Sequence, residues 1–224
     1  AFWVGTQLGL VKCQPNPVGT GGGFDFQLFQ ASADNRNGLN NNVITHLLPD
    51  PAEPGKTLWI ATKGGGVNRM NIATGECQHI TTADGLLNNV VYGILPGSKP
   101  GEFWCSTNRG LAKIGQRPNG EFDITTFTAA LGLQDNEFNT YAFCKSDKGE
   151  LLFGGVNGLN RFFPQDLKLD TTPPPVFIVG LEINHEKADF GSPGSPLTQP
   201  LETLRELRLR HDQNNLSFEY AALD

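Results

Sequence analysis

The side chains able to do chemistry are scattered in this chain. His46, His79, His185 and His211 fall at unrelated places, with no H-E-x-x-H and no second histidine at metal spacing. Cys13, Cys77, Cys105 and Cys144 form no C-x-x-C and read as isolated structural thiols. No G-x-S-x-G is present to place a hydrolase nucleophile on a strand-to-helix elbow. Two glycine runs, Gly21-Gly22-Gly23 and Gly64-Gly65-Gly66, could cradle a phosphate only if a helix began directly after them. The residues next in the chain, Phe24-Asp25-Phe26 and Val67-Asn68-Arg69, read as strand, so both runs are turns. Paired carboxylates cleave sugars, and 23 acids always allow some pair to be imagined, but none repeats or clusters. Asn215-Leu216-Ser217 matches a glycosylation acceptor and lies inside an expected strand, where the match reads as chance. The expectation is a chain with no catalytic residue, no metal site and no cofactor.

Charge and hydropathy narrow the partners. Seventeen basic against twenty-three acidic residues, with no cluster of Lys and Arg, exclude a nucleic-acid surface. The longest apolar stretches, such as Val176 to Leu181, are far shorter than the roughly 20 residues of a membrane helix. Any membrane attachment is therefore expected only through segments outside this chain. The 27 glycines and 15 prolines punctuate short apolar runs, the mark of an all-β chain with many turns. Ala1-Phe2-Trp3 reads as the middle of a strand, so the native start is expected to lie upstream.

An internal repeat positions everything else. Phe2-Trp3-Val4-Gly5-Thr6 returns as Leu58-Trp59-Ile60-Ala61-Thr62, as Phe103-Trp104-Cys105-Ser106-Thr107 and, worn, as Leu151-Leu152-Phe153-Gly154-Gly155. A second motif keeps step at Gly38-Leu39-Asn40-Asn41-Asn42-Val43, Gly85-Leu86-Leu87-Asn88-Asn89-Val90 and Gly132-Leu133-Gln134-Asp135-Asn136-Glu137. A period in the high forties built only of short strands and glycine turns is that of a four-stranded propeller blade. In that reading Trp3, Trp59 and Trp104 pack between blades, and Asn42, Asn89 and Asn136 bond backbone at turns.

The run G-L-x-x-N-x-V followed by Leu58-Trp59-Ile60-Ala61-Thr62-Lys63-Gly64-Gly65-Gly66-Val67-Asn68-Arg69-Met70 resembles the two-component regulator propeller repeat of hybrid histidine kinases. Gly132 to Asn139 with Lys148 to Pro164 is similar to that family's closing blade. Thr172-Pro173-Pro174-Pro175 then reads as a stiff linker. Beyond it, Val176 to Asn184 and Asn214 to Asp224 read as strands, similar to the start of the family's tyrosine-named immunoglobulin-like module. The expected organisation is β-propeller blades over 1–170, a Pro-rich linker over 171–175 and a partial immunoglobulin-like β-sandwich over 176–224. The resemblance implies a periplasmic, non-catalytic receptor that senses a carbohydrate such as an oligosaccharide.

Candidate ligand contacts are positions free of the repeat's packing duty. Asn41, Asn88 and Asp135 stand in the variable pair before the recurring Asn. Glu137 replaces Val43 and Val90 at the start of the innermost strand of its blade, where a charge could face the channel, and Asn139 comes two residues later. Because about four blade units stand at the lower limit of the 4 to 8 with which propellers close, the chain is expected to be a piece of a longer propeller. Its open edges then favour self-association, as a homodimer for example. Two other functions share the fold: a polysaccharide lyase or glycosidase with catalytic residues partly elsewhere, and a protein-interaction scaffold.

Overall fold

The computed structural model describes residues 1–16, 22–167 and 175–222, which form strands and four short 3-10 turns. Thr171, Thr172, Pro173 and Pro174 of the expected linker, Leu223 and Asp224 at the end of the expected last strand, and Gly21 of the first glycine run lie outside the described residues. The chain divides into two compact units, Ala1–Lys168 and Leu169–Asp224.

In the first unit, β1 (Phe2–Thr6), β2 (Gly9–Pro15) and β3 (Phe24–Phe29) make one antiparallel sheet. Two four-stranded antiparallel sheets come next, the first of β4 (Ile44–Pro49), β5 (Thr57–Thr62), β6 (Val67–Asn71) and β7 (Cys77–Ile80). The second holds β8 (Val91–Pro96), β9 (Glu102–Thr107), β10 (Gly110–Gln116) and β11 (Phe122–Phe127). A last meander has β12 (Phe138–Lys145), β13 (Leu151–Gly155) and β14 (Gly158–Phe162). Every sheet is ordered as the chain runs, the blade pattern expected from the repeat. The worn fourth copy is a true blade, with β13 paired residue for residue to β14.

Alternation along single strands builds the core. All six residues of β5 are buried because neighbouring blades cover both of its faces. Leu58 and Ile60 join Leu10, Ile44 and Met70 in the cluster between the first two blades, while Trp59 and Ala61 join Phe103, Cys105 and Ile114 in the next. β9 repeats the arrangement, with Phe103 and Cys105 on one side and Trp104 on the other among Phe138, Leu151 and Phe153. The tryptophans pack between blades as expected: Trp59 lies 4.2 Å from Phe103 and Trp104 lies 4.8 Å from Phe162, centroid to centroid. The first blade is covered on one face only. Phe2 and Val4 remain 49% and 41% exposed at positions where Leu58 and Ile60 are buried, so these four blades do not close a ring on each other.

The second unit holds one three-stranded antiparallel sheet of β15 (Val176–Ile183), β16 (Glu186–Lys187) and β17 (Leu216–Ala222), with β15 central. Leu181, Ile183 and Leu197 form its small core, joined by Leu201, Leu204 and Leu209 from the segment between β16 and β17. It supplies one sheet of a sandwich among the described residues.

Candidate functional site

Innermost strands β4, β8 and β12 all start at one end of the blades, and the candidate residues cluster there. Asn42, Asn89 and Asn136 fix the loops leading into these strands. Their Oδ1 atoms accept from the amides of Ala31, Thr82 and Ala129 at 2.7, 2.8 and 2.8 Å. The carbonyl of Asn89 also accepts from Gly64 and Gly66 of the preceding blade, and that of Asn136 accepts from Gly110. The amides of Gly64 and Gly66 are thus directed at a protein carbonyl, which is why this run is a turn and no anion cradle.

Three of the candidates are taken up by the same local chemistry. Asn41 Oδ1 accepts from Val43 N at 2.9 Å and Asn88 Oδ1 from Val90 N at 2.7 Å, closing side-chain turns. Asp135 Oδ1 accepts from Asn136 N at 2.6 Å. All three are half-buried, and in each one side-chain oxygen is already used by a neighbouring amide. Glu137 and Asn139 differ. Both are exposed, and their side chains make no hydrogen bond or ion pair among the described residues. Only the backbone of Glu137 does repeat duty, its carbonyl accepting from Val156 N as those of Val43 and Val90 accept from Lys63 N and Asn108 N.

Next to Glu137 lies a feature that residue-type reasoning missed. Two residues separate Val91, paired with Thr107, from Ile94, paired with Cys105, but four separate Phe138, paired with Gly155, from Phe143, paired with Phe153. Two extra residues therefore bulge from β12, and Asn139, Thr140 and Tyr141 are all exposed. The signal was in the spacing: the apolar pairs Leu47-Leu48 and Ile94-Leu95 come at the fifth and sixth positions after the recurring Asn, whereas Phe143-Cys144 comes at the seventh and eighth. Close by, Tyr92 donates to Asn108 Oδ1 at 3.1 Å. Partial burial raises the Tyr92 hydroxyl's pKa above its ordinary value, and the Glu137 charge pushes it the same way.

The opposite end of the blades carries a crevice of about 270 Å³ between the turns after β4 and β8, lined by Asp50, Pro51, Pro96, Glu102, Phe103 and Lys145 among others. Asp50, Glu102 and Lys145 are engaged in holding structure. Asp50 Oδ2 accepts from Trp59 Nε1 at 2.8 Å, and Lys145 Nζ donates to the carbonyls of Pro96 and Gly97. Glu102 pairs with Lys113 at 3.2 Å and accepts from Ser98 N. Burial opposes ionisation of Glu102, yet the Ser98 amide and Lys113 prevail and hold its pKa below the usual value. The carboxylate has changed strands between the two blades. Gly97 stands where Asp50 would recur, and a side chain there would collide with that of Glu102.

No family model matches the chain. It is 25% identical over 146 residues to "Histidine kinase P4" of Formosa agariphila, covering 65% of this chain and 10% of that protein. Among solved structures it is similar to extracellular domains of two hybrid two component systems from B. thetaiotaomicron. One has TM-score 0.45 and 16% identity, over 98% of this chain and 46% of the other. The second has TM-score 0.42 and 19% identity, over 98% and 33%. The chain thus spans about a tenth of the kinase and less than half of either domain. At these levels the blade assignment rests on the chain's own strand pairing.

Proposed function

We propose that this chain belongs to the extracytoplasmic ligand-sensing region of a hybrid two-component system, where it binds a saccharide and performs no chemistry on it. The observation that carries this reading is the 146-residue similarity to a protein named as a histidine kinase, which covers 65% of the chain. The closing-blade run from Gly132 to Pro164 supports it from within the sequence. The site fits a receptor: Glu137 and Asn139 are exposed and unbonded among the described residues, while Asp50 and Glu102 at the other end are engaged in holding structure. Of the candidates, Glu137 and Asn139 are proposed to touch the ligand, and Asn41, Asn88 and Asp135 to shape the loops beneath it. Among the described residues no helix is long and apolar enough to cross a membrane.

Titration calorimetry of the extracytoplasmic region containing this chain, against a panel of oligosaccharides, tests the reading. Binding without turnover is expected, together with a reading frame that continues into a membrane helix and a kinase. No binding to any of them, in a gene encoding neither, would sink it.

A further inference from the structure

We infer that the Asn139-Thr140-Tyr141 bulge of β12 is the ligand-gripping element of this site, with Tyr141 the aromatic platform on which a sugar ring stacks. The inference rests on the saccharide-sensing reading and adds to it a place, a contact mode and two residues.

The other innermost strands also break register at this point, by single residues whose side chains are committed inward. Thr45 Oγ1 donates to Val91 O at 2.6 Å and Tyr92 Oη donates to Asn108 Oδ1. In β12 the corresponding bulge is longer, and none of its three side chains has a hydrogen-bond partner among the described residues. Tyr141 is 77% exposed with φ 63°, in the left-handed region that a bulky residue enters only under constraint. Packing does not explain a large ring held in water on a strained backbone, and such strain concentrates where ligands are clamped. Within four residues of Tyr141 in the chain come the groups a neutral polyol needs. The Glu137 carboxylate accepts from hydroxyls, and the Asn139 amide and Thr140 hydroxyl both donate and accept. From Glu137 to Ala142 there is one carboxylate and no basic group, which disfavours an anionic ligand. An aromatic body with a few placed polar groups is the usual composition of a small-molecule site.

Tyr141→Gly and Tyr141→Phe, each in the extracytoplasmic region, separate the outcomes. Cellohexaose, xylohexaose, laminarihexaose and mannohexaose are titrated calorimetrically, and each variant is melted. Loss of the stacked ring should weaken binding of whichever sugar the wild type takes by about tenfold or more, while Tyr141→Phe stays within about threefold. Tyr141→Gly should melt no lower than wild type, because glycine adopts this φ without strain. Wild-type affinity in Tyr141→Gly would overturn the inference and leave the sensing reading standing. Binding and melting temperature falling together would also overturn it, by making Tyr141 a structural residue. If the wild type takes up none of the four sugars, the inference falls, while the sensing reading is decided by the wider panel and by the gene.

Discussion

His46 sits where three innermost strands converge: its Nδ1 accepts from Ile94 N of β8 at 3.3 Å, and its ring meets Phe143 of β12 edge-on at 4.6 Å. Gly93 makes the approach possible, since any side chain there would enter the Phe143 ring. Burial disfavours the imidazolium and holds the His46 pKa below its ordinary value. The unfolded chain, with a His near the usual ~6.5, then binds more protons than the folded one between the two pKa values. Stability is accordingly full above about pH 6.5 and declines as pH falls toward the folded pKa. The melting temperature of the wild type should drop between about pH 7 and pH 5 by more than that of His46→Gln, whose amide oxygen can still accept from Ile94. Parallel melting curves for the two proteins across that range would refute it.

At the scale of the blade, two residue types hold neighbours together with unequal strength. Trp59 fills the space between the second and third blades and gives its indole N–H to Asp50 Oδ2, so Trp59→Ala loses burial and leaves both a cavity and a buried carboxylate oxygen without its partner, Oδ1 keeping the Ala52 amide. We expect a loss of about 3–5 kcal/mol. Asn89→Ala removes one acceptor from the exposed Thr82 amide, which water can replace, and should cost only about 1 kcal/mol. Urea unfolding of both variants checks the order, and a larger loss at Asn89 would show that its loop, and not the tryptophan, carries the interface. The blades were legible because a strand covered on both faces must read as a continuous apolar run, and Leu58 to Ala61 does so, its copies keeping step with a second motif that recurs every 47 residues at Gly38, Gly85 and Gly132. The roles of Asn41, Asn88 and Asp135 were not legible, because a short amide or carboxylate that can bind a ligand binds its own turn equally well, and spacing does not say which. The β12 bulge was written in the two-residue lag of Phe143, but a lag shows as a bulge only once the partner strand fixes the register. The move of a carboxylate from Asp50 to Glu102 needs two strands in register to be seen at all.

Across the first unit, the same register that buries Leu58 and Ile60 of β5 against a preceding blade presents Phe2 and Val4 of β1 to solvent. Cross-strand pairing places Phe26 in line with Phe2 and Leu28 in line with Val4, so these four side chains share one face of the first sheet. Phe26 is 71% and Leu28 53% exposed, and the opposite face, with Trp3, Leu10 and Phe29, is the one packed on the second blade. A sheet with a contiguous apolar face is the surface a propeller covers with another blade, and contiguous apolar surface in water favours association. We therefore propose that this chain, studied by itself, covers the face with a second copy. Light scattering coupled to size exclusion should give a mass that rises above the monomer with concentration. Because the contact is apolar, raising the salt should not reverse it, as it would a charge-driven pair. The double variant Val4→Glu, Phe26→Glu should return the monomer mass with blade secondary structure intact, since neither residue belongs to the packed clusters of the unit. A wild-type chain that stays monomeric at every concentration would defeat the proposal, and one that associates equally well with both glutamates in place would move the contact to a different surface.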